Sequence, residues 1–144
     1  MAATTYATIR KNTQATVHTI ISSDSTISTQ AIKVVDGVPR DLLKNRATYI
    51  SINSPTVRHD NWVLDNSKFN CDISVPIVVS SRKESVAREI ADTVINALKT
   101  NQNTTRGVKL YTFRLKGENT NQITLDSNDT VYVHNITVGY NYQG

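Results

Sequence analysis

The stretch Phe69-Asn70-Cys71-Asp72-Ile73-Ser74-Val75-Pro76-Ile77-Val78-Val79 decides the fold class, because its apolar residues fall on every second position. Phe69, Cys71, Ile73, Val75, Ile77 and Val79 share one face, with Asn70, Asp72 and Ser74 between them. A period of two turns one face to a core and the other to water, which predicts a half-buried strand from Lys68 to Val79. Pro76 falls on the polar face and has no N–H to give to a ladder, so this strand lies at a sheet edge or is bulged near that point.

Immediately downstream the period lengthens to that of a helix. Ser81 and Glu84 have the spacing of a capping box, and Val86, Ala87, Ile90, Ala91, Val94, Ala97 and Leu98 then line one helical face, with Arg88, Glu89, Asp92, Asn96 and Lys99 on the other. The polar run Thr100 to Thr105 ends this helix. Two strands follow, Gly107 to Lys116 and Thr130 to Tyr142, joined by a polar loop from Gly117 to Asp129, and together they predict a long hairpin. On the last strand Tyr132, His134, Ile136, Val138, Tyr140 and Tyr142 share one face and Val131, Val133, Asn135 and Thr137 the other, so both faces seek contacts.

Upstream, Tyr6, Ile9, Thr13, Val17, Ile20 and Ile21 recur at steps of three and four, predicting a weakly amphipathic helix over Thr5 to Ser22. Ser23 to Ala47 reads as a long connection with one short strand around Ala31 to Val35, and turn chemistry at Asp36-Gly37 and Val38-Pro39. Thr48 to Asn53 alternates, with Ile50 and Ile52 on one face, and Ser54-Pro55 closes it as a further short strand. The order helix, strand, strand, helix, strand, strand predicts an α+β fold: an antiparallel four- to five-stranded sheet with two helices packed on one face. All 144 residues form a single expected domain, of a size that buries roughly two thirds of its unfolded surface in one core. Only 38% of residues are hydrophobic, so that core draws on a few elements and much of the chain is solvated.

Composition excludes several functions. The lone cysteine, Cys71, rules out an internal disulfide and a cysteine zinc cluster, and its place on the apolar strand face makes it a core thiol. No membrane-spanning run and no secretory leader are visible, and the protein is expected in the cytoplasm of its producer. The net charge of +4 comes from sixteen Lys and Arg spread along the chain, densest at Arg10-Lys11 and Arg82-Lys83. His18, His59, His134 and Asp60 fall in no catalytic or metal-binding motif, and the five glycines form no phosphate-cradling loop. No enzyme activity, cofactor or metal is therefore expected. Trp62 is either a flap over the core or an exposed anchor at an interface.

The segment from Phe69 to Tyr142 resembles the tail terminator, or tail completion, proteins of long-tailed phages. The resemblance lies in the quoted strand, the short Ser/Arg/Lys link, the helix Ser85 to Leu98 and the closing hairpin, roughly half the chain. It implies a virion structural protein: a homohexameric ring that binds the last ring of the tail tube protein, stops elongation and offers a docking face to the head-neck connector. Its place would be the virion tail, after assembly in the host cytoplasm. On that reading Val131, Val133, Tyr132, Ile136 and Trp62 are candidates for the subunit interface, and Arg82, Lys83 and Arg114 for a basic lining of the channel that DNA traverses.

A second function class stays open beside it. The strand carrying Lys109, Tyr111, Phe113, Arg114 and Lys116 interleaves cations with aromatics, as a basic nucleic-acid-binding module would. A small hydrolase is a third reading, which lacks a nucleophile paired with a base.

Overall fold

The computed structural model describes residues 6–30, 32–37, 48–59, 70–124 and 130–143, and of residues 59 and 70 the backbone alone. The described part is a mixed α+β fold of four helices and a six-stranded sheet. Its elements in chain order are α1 (Tyr6–Ser22), α2 (Ser25–Thr29), β1 (Lys33–Asp36), β2 (Tyr49–Ile52), β3 (Thr56–His59), β4 (Asn70–Ser81), α3 (Glu84–Thr100), α4 (Gln102–Gly107), β5 (Leu110–Thr124) and β6 (Thr130–Gln143).

The alternating stretch forms β4, at the centre of the sheet. Cys71, Ile73, Val75, Ile77 and Val79 are each 1% exposed or less. They face α1 and α3 through a single cluster that includes Ile9, Val17 and Ile21 of α1 and Ile90, Val94 and Leu98 of α3. Helix α3 is further suited to its place by Glu84 in its first turn and Lys99 in its last, where each complements the helix dipole. The buried face of α1 is the one its spacing predicts: Ile9, Thr13, Val17, Ile20 and Ile21.

The sheet order is β1-β2-β4-β6-β5, with β3 also pairing with β4. Strand β4 therefore has neighbours on both sides and is not an edge, and it pairs with β6 without a register shift from Asn70 to Ser81, so the irregularity expected at Pro76 lies in the strands beside it and not in β4 itself. Ile52 lies opposite Ile77 and Thr56 opposite Ser74, so the three residues 53–55 that link β2 to β3 pass two residues of β4. Pro76 accepts the Asn53 N–H at its carbonyl, 2.9 Å, on this same side, and the break between β2 and β3 falls where Pro76 has no N–H to give.

Other expectations are corrected. β1 and β2 run parallel rather than antiparallel. Residues 23–30 contain the short helix α2, capped by the Asp24 carboxylate accepting from Thr26 N at 2.9 Å and Ile27 N at 3.2 Å. Thr56–His59 is a strand, and a further short helix, α4, follows where α3 ends. The predicted capping box does not form: α3 starts at Glu84 after Lys83, and Ser81 is the last residue of β4, its Oγ accepting the Lys83 N–H at 3.4 Å. Residues 117–124, expected in a loop, extend β5 in register with β6 from Gly117↔Thr137 to Thr124↔Thr130. Pairing with an apolar neighbour outweighs their polar composition, because ladder hydrogen bonds do not depend on side-chain type.

Candidate interaction surfaces

The polar face of β4 carries the largest ion-pair cluster among the described residues. Asp72 accepts from Arg114 at 2.5 Å and from Lys116 at 2.6 Å. Arg114 also donates to Asn141 Oδ1 at 3.2 Å, and Lys116 to Ser74 Oγ at 2.8 Å. Two bulges in β5, between Tyr111 and Arg114 and between Leu115 and Gly117, bring both cations to this face. Thr112 adopts φ 58 inside the first bulge, a left-handed conformation unusual for a β-branched residue. Gly139 lies beneath the Lys116 stem, where a Cβ would collide with the methylenes that carry the ammonium to Asp72. Partial burial acts to raise the Asp72 carboxyl, but the hydrogen bond and charge of Lys116 and the charge of Arg114 outweigh it and hold the group below the usual carboxylate range.

At the other end of the sheet, Tyr49, Ser80 and Val133 are register neighbours on the face away from the helices, and are 3%, 0% and 8% exposed. Val131 on the same strand face is 1% exposed. Val131 and Val133, candidates for the subunit interface, are thus covered within one chain, and Ile136, on the helix face, is buried as well. Of the expected interface residues, Tyr132 is half-buried, its hydroxyl accepting from Gln122 Nε2 at 3.4 Å, and Trp62 lies outside the described residues.

The three expected channel cations are not brought together. Arg82 and Lys83 are exposed in the turn between β4 and α3, while Arg114 is bound to Asp72, roughly 30 Å away along β4. Phe113 packs against Tyr140 with ring centroids 5.8 Å apart, partly buried on the core. The strand read as a cation-aromatic platform therefore commits Phe113, Arg114 and Lys116 to contacts within the chain.

His134 is 4% exposed, with Nδ1 2.7 Å from Thr120 Oγ1 and Nε2 2.6 Å from Glu118 Oε1. This is the one hydroxyl, imidazole and carboxylate row among the described residues. Sequence reasoning missed it, because Glu118 and Thr120 read as loop. His18 similarly meets Asp36 at 3.0 Å, tying α1 to β1. Cys71 is a core thiol, 1% exposed. Between α2 and α3 an open groove of ≈ 510 Å³ is lined by Asp24, Thr26, Asp92, Asn96 and Lys99, and Asp24 is already used as a helix cap.

With this geometry in place, the chain is similar over 91% of its length to a solved structure. That structure is a chain from the "Virion of native gene transfer agent (GTA) particle", matched over 94% of its own length at a TM-score of 0.66 and 17% identity. The two chains share a fold. No family model and no curated protein matches the sequence.

Proposed function

We propose that this protein is a structural component of a phage-like virion, and specifically a tail terminator that assembles as a homohexameric ring. The observation that carries the reading is the shared fold, which spans nearly the whole of both this chain and the gene transfer agent virion chain. The family resemblance of residues 69–142 narrows it to the end of the tail tube. There the ring ends elongation and joins the tail to the head-neck connector, without catalysis.

Heterologous contacts between neighbouring copies build such a ring, since one patch binding a different patch closes when the rotation closes. Burial of Val131 and Val133 removes them as the principal contact and shifts it to the exposed outer side of β5. Of the three candidate channel cations, Arg82 and Lys83 are exposed and remain available to line a channel for DNA. A nucleic-acid-binding monomer is the weaker reading, because two of its key cations already share one carboxylate.

Electron microscopy of particles carrying a labelled copy of this protein tests the proposal. A six-fold ring at the head-proximal end of the tail tube is expected. Label on another part of the particle, or a terminal ring of incompatible symmetry, rejects the terminator role.

A further inference from the structure

Strands β5, β1 and β3 each have a single neighbour in the sheet, and among the described residues no strand pairs with their outer sides; β3 is level with Leu110 to Arg114 in the bulged part of β5, and β1 with its regular part. Exposed strand edges are templates for another chain, and proteins blunt them with charges, proline or bulges. In β5 both bulges lie before Gly117, together with the cations Arg114 and Lys116. From Gly117 to Thr124 the strand is regular, exposed, free of proline and bears a single charge, Glu118, which is held by His134.

The register shows what this edge fits. Reading across the sheet, Lys33 pairs with Tyr49, Tyr49 with Ser80, Ser80 with Val133 and Val133 with Asn121. Likewise Asp36, Ile52, Ile77, Ile136 and Glu118 form one row. The open stretch Glu118–Asn121 of β5 is therefore level with all four residues of β1 on the opposite edge. Counting directions through one parallel and three antiparallel pairings, β5 runs antiparallel to β1.

We infer that the partner of this edge is β1 of a second copy: Glu118–Asn121 of one protomer adds antiparallel to Lys33–Asp36 of the next and continues the sheet from copy to copy. This rests on the ring reading above and names the contact that would build it. The two edges meet without one copy sliding along the strand direction, and such a heterologous contact gives a ring where the rotation between copies closes. In the level register Asn121 faces Lys33 and Glu118 faces Asp36. Both carboxylates already have histidine partners, Glu118 at 2.6 Å from His134 and Asp36 at 3.0 Å from His18. Four residues of ladder make a weak contact by themselves, so rings form where a tube end aligns the copies.

A double variant, Lys33→Cys with Asn121→Cys, tests the pairing, since facing residues of an antiparallel pair lie within disulfide reach. Both positions are exposed, and Cys71 is too buried to compete. Mild oxidation of the concentrated protein is expected to give a ladder of linked copies on a non-reducing gel, and neither single variant does so. Hydrogen exchange of the wild type provides a measurement that tolerates another register. Amides of 33–36 and 118–121 should both slow at least tenfold on assembly. If native mass spectrometry shows a wild-type oligomer in which neither stretch slows, the inference falls and the ring survives. Covalent dimers from Asn121→Cys alone would replace this contact by a two-fold pairing of β5 with itself and overturn it. No oligomer at any concentration, with no ring on tail ends, removes both readings.

Discussion

On the helix-covered face of the sheet, Ile73, Ile77 and Ile136 are wholly enclosed by apolar neighbours from α1 and α3. On the other face of the same strands, Asp72 holds Arg114 and Lys116 in an ion-pair cluster. The first arrangement derives its stability from area removed from water and has no charge to be screened or titrated. The second is partly solvated, so it contributes less and responds to both. One face holds the molecule together, and the other sets where β5 is fastened and where its edge stays open.

A substitution at the packed face should have the largest effect. Ile90 is buried against the sheet, and Ile90→Ala is expected to cost about 2–5 kcal/mol, against less than about half a kcal/mol for exposed Glu89→Ala, measured by denaturant unfolding. Equal losses would mean that α3 does not dock through this face.

The ionic face should give a smaller effect with a pH signature. Asp72→Asn is expected to cost about 1 kcal/mol near neutral pH, the scale of a partly exposed ion pair. Because the folded carboxyl titrates below its unfolded value, its contribution is complete above about pH 4 and is lost as the pH falls through the folded value. Wild type and variant should thus converge in acid, and a constant gap down to pH 2 would show that Asp72 contributes packing rather than charge.

A change in the opposite direction is expected at Tyr140. Its side chain is fully buried, burial pushes its phenol up, and among the described residues nothing hydrogen-bonds its hydroxyl. Tyr140→Phe removes an unsatisfied polar group while keeping the ring against Phe113, and should raise stability by about 1 kcal/mol. A loss of that size in thermal unfolding would reveal a partner for the hydroxyl.

The smallest effect belongs to the bulge that joins the two faces. Thr112→Gly relieves a left-handed β-branched residue and should stabilise by about half a kcal/mol after the added flexibility of glycine is subtracted. Destabilisation in the same assay would mean that the Thr112 side chain, not the bulge, holds this part of β5.

Elements whose pattern is local were legible in the chain of residues alone. The two-residue period of Cys71 to Val79 and the three-and-four spacing of α1 and α3 select a backbone and a buried face together, because side-chain direction follows from that backbone. The thiol of Cys71 was legible as core for the same reason. Pro76 announced a break in a ladder, since a missing donor is a property of the residue alone, though not that the break would fall between β2 and β3 and leave β4 central and regular. Features that depend on partners distant in the chain were not legible there. The parallel pairing of β1 with β2, the strand Thr56–His59 and the extension of β5 through polar residues to Thr124 all arise from ladders offered by neighbours. The row of Thr120, His134 and Glu118 exists because that extension sets residues sixteen and fourteen apart side by side. Val131 and Val133 looked free in sequence because alternation shows which residues share a face, but not whether that face is already covered.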